Sequence, residues 1–497
     1  MLSEIDTRPF PTAPPAFNLA GYVLSRVATL HKPAVTLLYP ERDETLSYAE
    51  LLRATQGCGT ALLSLGLVPG DRILLRLGNT LAFPILYLGA IWAGLVPVPT
   101  SAALTVPEIT KLAALVAPKL IAAEPGIALP DHPASTLGPD PVLWANFSPA
   151  DLHLGDPDRE AYVIFTSGTS GSPMAVSHAH RAILARKSMH QHWEGLTEPD
   201  RLLHAGALNW TYTLGTGLLD PWSVGATALI PAAGTPPRAI PALLARSDAT
   251  ILAAAPGIYR QLLRGDIPPL PKLRHGLSAG EALPQALRDQ WRNRTGTDLH
   301  EALGMSEIST YLSGSPSRPA PAGTAGYAQP GRHIAILNDQ GAPVPRGEAG
   351  ELGVSIADPG LMRHYLGHPP PQGPWFRTGD AAVMAADGAI THLGRKDDLL
   401  NAGGFRVSPA EIEAAFHDLP FTLCAATQVE PTPGTTIIAL FYEAPCEIDA
   451  LTLRQCAEKT LARWKQPRHY QRLDALPRTG TGKLIRKALA ARYRRPE

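Results

Sequence analysis

The chain has 497 residues, 45% hydrophobic and 18% charged, which supplies packed cores and excludes a disordered protein. That length exceeds what one core usually organises, so one large and one small domain are expected. Lys plus Arg (44) equals Asp plus Glu (44), so no global field points to nucleic acid or to an anionic membrane surface.

The opening MLSEIDTRPF lacks the basic-then-apolar order of a signal peptide. Residues 77–107 carry no charge, but Pro84, Pro97, Pro99 and Pro107, with Gly78, Gly89 and Gly94, break the run. A buried helix followed by a strand is expected there, with no membrane span. Short apolar runs then alternate with helical periods: ILLRL (73–77), LVPVP, LIAAE (120–124), AYVIF (161–165), ATALIP (226–231) and ATILAAA (249–255). Strands buried on both faces read as continuous apolar runs, and their alternation with helices predicts parallel sheets of α/β class. From Gly326 the texture changes to short strands with turns at Asp339-Gln340-Gly341 and Asp387-Gly388, predicting a small β subdomain. SPAEIEAAFHDL then reads as a capped helix, Ser408 preceding Pro409 with Glu411 three residues on. Strands VE and TTIIALFYEA and a helix from about Ile448 to Trp464 follow. The expected division is a domain over 1–394, a hinge over 395–398 and a small α+β domain over 399–497. From Leu451 onward 13 Lys/Arg face 3 Asp/Glu, which suits polyanionic small molecules and equally a solvated basic face. Four cysteines (Cys58, Cys424, Cys446, Cys456) form no CxxC pair and have no His at zinc spacing, so neither a disulfide framework nor a metal cluster is indicated. A reducing, cytoplasmic interior fits that usage.

The strongest chemical signal is FTSGTSGSP, Phe165–Pro173, after the strand AYVIF and before an expected helix starting near His178. Gly168 and Gly171 let the backbone turn its N–H groups toward an anion, and the hydroxyls of Thr166, Ser167, Thr169 and Ser170 add donors. This is a phosphate cradle, and it is not a Walker A loop because no GK[ST] ends it.

Further motifs follow in order: SAGEALP (278–284), ALGMSE (302–307), WFRTGD (375–380), GRKDDLLNAGGFRVSPAEIE (394–413) and PRTGTGKLIRKAL (477–489). With FTSGTSGSP they make the chain, from about residue 20 to 490, resemble the adenylate-forming superfamily of acyl-CoA synthetases, nonribosomal adenylation domains and firefly luciferase. The segment NWTYTLGTGLLDPWSVGATALIP (209–231) is most similar to the benzoate-CoA ligase branch.

The resemblance implies a large N-terminal nucleotide- and acyl-binding domain, a mobile C-terminal domain, and an AMP-forming acid:CoA ligase using ATP, Mg²⁺ and coenzyme A. A carboxylate attacks the α-phosphorus of ATP, pyrophosphate leaves, and CoA thiolate then attacks the acyl-AMP. Lys483 stands for the catalytic lysine and Glu307 for the Mg²⁺ ligand, with Ser306 where Thr is usual and Gly304 beside it. Adenine is expected against Gly280, Glu281 and Ala282, with Leu303 where an aromatic ring is often found and Glu301 where Asn or Asp meets the adenine amine. Asp380 is assigned to the ribose hydroxyls and Arg395 to ribose or phosphate. Asp397 is the hinge, with Gly403, Gly404 and Arg406 on the CoA side. The acyl pocket is carried onto Asn209, Trp210, Tyr212, Gly215, Ala254, Pro256, Tyr259, Ser278, Gly280 and Met305. No Asp at 209–212 answers an α-ammonium, which favours an uncharged acid, aryl or short to medium in chain. His178, His180 and His204 are read as structural. One departure stands out: Met174 and Ala175 replace the family's Lys-Gly after Pro173. Alternatives are an adenylation enzyme loading a carrier-protein phosphopantetheine, a degenerate nucleotide-binding protein and a luciferase-like oxidase. Partners are the acid, ATP and CoA, with no nucleic acid, in a monomer or homodimer.

Overall fold

The computed structural model describes residues 1–25, 31–166, 173–396, 400–402, 405–417, 419–432, 435–463, 465–478 and 484–494. Its contacts divide into two compact units, one of Asp6–His333 with Ser355–Phe376, the other of Met1–Ile5, Ile334–Val354 and Arg377–Glu497.

The apolar runs of the first unit become its central sheet. Pro33–Leu38, Thr227–Pro231, Arg201–His204, Ile251–Ala254, His275–Ala279 and Asp298–Met305 pair parallel in that order. Antiparallel strands Asp43–Ser47 on one side, and Ser309–Ser313 with Tyr327–Ala328 on the other, complete nine. The runs are continuous because both faces are covered. Leu203, Leu252 and Tyr259 pack on one face with Trp291, whereas Leu202, Ile251 and Leu277 pack on the other with Met189, Trp193 and Tyr212. A second parallel sheet places Arg72–Arg76 between Val96–Pro99 and Leu120–Ala123. The uncharged stretch resolves into the helix Ala82–Trp92, buried at all 11 positions, and the strand Val96–Pro99. Among the described residues no helix is long and apolar enough to cross a membrane.

Two strand pairs lie in the second unit except for their residues His333, Ser355, Trp375 and Phe376: His333–Leu337 pairs antiparallel with Ala349–Ser355, and Trp375–Met384 with Ile390–Arg395 across the expected Asp387-Gly388 turn. Further along, Leu423–Thr432, Thr435–Glu443 and His469–Arg472 form a sheet. The helices Pro409–Ala414 and Ala450–Thr460 cover one face through Ile412, Leu453 and Ala457. Pro409 opens its helix as predicted, but the Ser408 side chain makes no cap bond and Glu411 pairs with Lys465 instead.

A second expectation also fails. The segment after FTSGTSGSP is a strand, Met174–Ala179, and the helix begins only at Ala182. This strand pairs antiparallel with Glu160–Thr166 and with His364–Tyr365, and five of its six residues are buried. A short run covered on both faces satisfies its backbone in a sheet, so the FTSGTSGSP segment joins two strands, and the next helix starts only after the second of them.

Candidate active site

The carboxyl ends of four adjacent parallel strands bring together residues far apart in sequence. His204, Ala254, Ser278–Ala279 and Met305 all lie at these ends, where open α/β sheets form their ligand crevices. In a separate sheet the antiparallel hairpin stops at Thr166 opposite Met174, so these two residues flank the FTSGTSGSP segment. Ser167, Gly168, Thr169, Ser170 and Gly171 lie outside the described residues, as do Asp397, Gly403, Gly404 and Lys483. Arg406 is described only as backbone, in the strand Phe405–Val407.

The hairpin is tied to the ALGMSE segment twice. The His178 ring lies with Nε2 2.8 Å from the Ser306 carbonyl, and it stacks on Tyr162 with centroids 4.9 Å apart. Burial pushes its pKa down to about 4, against the pull of the Ser306 hydrogen bond, so the imidazole is neutral at pH 7 and donates through Nε2. Tyr365, on the strand paired with Met174–Ala179, donates its hydroxyl to Glu307 Oε1 at 2.7 Å. Glu307, 5% exposed, is therefore a fixed carboxylate. Its backbone carbonyl also accepts from the Met362 N–H at 2.7 Å.

The turn after His275–Ala279 carries the expected adenine face. Gly280 has φ +94°, and an added Cβ would stand 2.7 Å from Trp210 Cζ2, so a side chain is excluded by conformation and by space. Gly280 and Ala282 are exposed and Glu281 is half-buried. Glu301 accepts from the Leu283 N–H at 3.1 Å and pairs with Arg288 at 2.6 Å, so this carboxylate anchors the turn. Leu303 and Gly304 flank an irregularity in the pairing with Ser309–Ser313.

Of the expected acyl-pocket residues, Trp210 and Tyr212 meet edge to face at 5.2 Å. Tyr212 donates to the Leu277 carbonyl at 3.1 Å, and Tyr259 donates to the same oxygen at 3.0 Å. The two tyrosines belong to different core clusters, Tyr259 packing edge-on against Trp291 at 4.9 Å. Ser278 Oγ is buried without a hydrogen-bond partner. Pro256 opens the helix Pro256–Leu262; Asn209 and Met305 are half-buried, and Gly215 is buried.

In the second unit Asp380 and Arg395 face each other across the Trp375–Met384/Ile390–Arg395 pair. Asp380 Oδ1 lies 3.3 Å from His392 Nε2 and 3.4 Å from Arg395 Nη1. Burial raises the Asp380 pKa, but His392, Arg395 and the Thr378 hydroxyl outweigh it and hold the group below the usual carboxylate value. It is ionised at pH 7 and able to accept hydrogen bonds from hydroxyl groups. Sequence reasoning missed Tyr365 and His392 because nothing local marks them, and it noted His178 only as structural.

The AMP-binding enzyme family model matches residues 24–366. The 4-hydroxybenzoate–CoA/benzoate–CoA ligase of Rhodopseudomonas palustris is 31% identical over 508 residues, covering 95% of this chain and 93% of that protein. Benzoate–CoA ligase of Thauera aromatica is 29% identical, with 97% of each chain covered. Among solved structures, a benzoate CoA ligase from Burkholderia xenovorans LB400 matches with TM-score 0.85 at 28% identity, over 95% of this chain and 100% of that one. An anthranilate CoA ligase, AuaEII, in complex with anthranoyl-AMP shares the fold with TM-score 0.85 at 24% identity, over 97% of this chain and 98% of that one.

Proposed function

The chain belongs to the AMP-binding enzyme family, and from that premise we propose that it is an AMP-forming acid:CoA ligase. In the first half-reaction a carboxylate oxygen of the acid bonds to the α-phosphorus of ATP while the bond to pyrophosphate breaks. In the second, CoA thiolate bonds to the acyl carbon, AMP leaves, and the thiol proton passes to solvent.

The first step brings two anions together, so fixed donors and cations do most of the work. The observation that carries this reading is Glu307, a buried carboxylate fixed by Tyr365 on a loop whose Ser306 is bound to the strand leaving the phosphate loop. One hard oxygen donor of this kind would suit Mg²⁺. Glu307 would hold the ion, which would neutralise phosphate charge. The backbone and hydroxyls of residues 166–171 cradle the phosphates, and Gly280–Ala282 with Leu303 form the adenine face. Asp380 accepts from the ribose hydroxyls, with Arg395 beside it. Lys483 bridges the acid carboxylate and the α-phosphate.

Residues 399–497 act as the mobile domain about Asp397, presenting Lys483 for adenylation and the Gly403–Gly404 edge with Arg406 for thioester formation. The acid is uncharged and aryl, or short to medium in chain. The Trp210 and Tyr212 edges supply apolar walls, no carboxylate at 209–212 answers an ammonium, and the named relatives act on benzoate and hydroxybenzoate. An ATP–pyrophosphate exchange screen over benzoates, cinnamates and C2 to C10 acids tests this, followed by thioester assays with CoA and with a carrier protein. A folded chain with Mg²⁺ that released no AMP with any acid would overturn it.

A further inference from the structure

Arg186, 8% exposed, lies against Gly215 and has no role in the chemistry above. Its Nε donates to Asp220 Oδ1 at 2.8 Å, Nη2 to Asp220 Oδ2 and to Thr216 Oγ1 at 3.2 Å, and Nη1 to Ser309 Oγ. These acceptors come from two segments that the reaction needs in register. Thr216 and Asp220 belong to Thr211–Val224, which also carries Tyr212 and Gly215. Ser309 is two residues beyond Glu307.

Both segments depart from regular backbone where Arg186 holds them. Gly215–Leu219 is a π-helical turn, a form that recurs at functional sites. A Cβ at Gly215 would lie 2.3 Å from Arg186 Cζ, so the guanidinium crosses where only glycine leaves room. Ser309 has φ +75°, left-handed for a residue with a side chain, and such a conformation persists only where its surroundings hold it. A cavity of about 20 Å³ separates the two segments, lined by Arg186, Gly215, Ser306 and Ser309. Asp220 balances the guanidinium charge. Burial and the Asp220 charge push the carboxyl of the wholly buried Glu194 well above the usual carboxylate range, and His190 Nε2 stands 3.4 Å from Asp220 Oδ1. A lysine could not reproduce this arrangement, since it lacks the planar fork that reaches three acceptors at once.

We propose that Arg186 is a positioning residue that locks the Thr211–Val224 turn to the Glu307 loop, setting the bound acid in register with Glu307. The proposal rests on the ligase reading. Ser309→Ala and Thr216→Val each cut one arm and leave the Arg186–Asp220 pair intact, so both variants keep the buried charge compensated. ATP–pyrophosphate exchange is measured against Mg²⁺ and against acid concentration. Ser309→Ala is expected to raise the Mg²⁺ needed for half-maximal exchange by about tenfold, with the acid KM little changed. Thr216→Val is expected to raise the acid KM by about tenfold, with the Mg²⁺ dependence unchanged. If both variants lose thermal stability while both constants stay within about twofold of wild type, Arg186 is only a structural ion pair and the proposal is overturned. If the wild type itself shows no exchange with any acid, the ligase reading fails first.

Discussion

Tyr365→Phe removes one hydroxyl and keeps the ring. That hydroxyl lies 2.7 Å from Glu307 Oε1, and at 5% exposure Glu307 has almost no water to replace it. A hydrogen bond to a charged acceptor contributes about 1.5–3 kcal/mol, and about 1.4 kcal/mol is a factor of ten. With Glu307 as the metal ligand, the variant should therefore lose about 10- to 100-fold in ATP–pyrophosphate exchange at limiting Mg²⁺. Part of that loss should return at saturating Mg²⁺, because mass action refills a weakened site. Attack of CoA on supplied acyl-AMP gives the internal control, since it does not draw on the β- and γ-phosphates. Wild-type exchange and Mg²⁺ dependence in a variant whose thermal stability had dropped would show that the strand Asp298–Met305 orients Glu307 without help.

Lys483→Ala should abolish acyl-AMP formation and spare thioester formation from supplied acyl-AMP; equal loss in both half-reactions would end the account in which the small domain alternates. Met174→Lys, at the mouth of the hairpin opposite Thr166, should raise ATP affinity or leave it unchanged, and a clear fall in kcat/KM for ATP would mean that the loop is built around Met174. Gly280→Ala must accept φ +94° and a Cβ 2.7 Å from Trp210 Cζ2, at a cost of about 1–3 kcal/mol; KM for ATP and for the acid should both rise, and unchanged kinetics would remove Gly280 from the site. Acid should destabilise the chain through its buried imidazoles. His178 and His204 are pushed down by burial to about 4 and about 3, so the unfolded chain, with histidine near 6.5, takes up protons first, and stability falls as pH drops from about 6.5 to about 4 for His178 and on to about 3 for His204. His178 alone should contribute about 3 kcal/mol of this fall. Urea unfolding between pH 4 and 7 measures it, and a His178→Gln variant with the wild-type slope would refute the assignment.

Much of this protein was legible in the order of its residues. Continuous apolar runs announced strands covered on both faces. The uncharged stretch around Ala82–Trp92 was readable as a buried helix because prolines and glycines bound it. Glu307, Gly280 and Trp210 stood in motifs whose spacing is local. What could not be read depended on partners distant in the chain. Met174–Ala179 is a strand because Glu160–Thr166 and His364–Tyr365 flank it, and its own few residues suit a helix or a strand equally. The carboxylate of Glu301 is committed to Leu283 and Arg288, a choice made by the fold. Tyr365 reaches Glu307 across 58 positions and Arg186 reaches Ser309 across 123. Local composition thus settled which elements form and which groups are available for chemistry. The folded chain alone decided which of those groups touch, because hydrogen bonds and ion pairs act over a few ångströms of space whatever the separation in sequence.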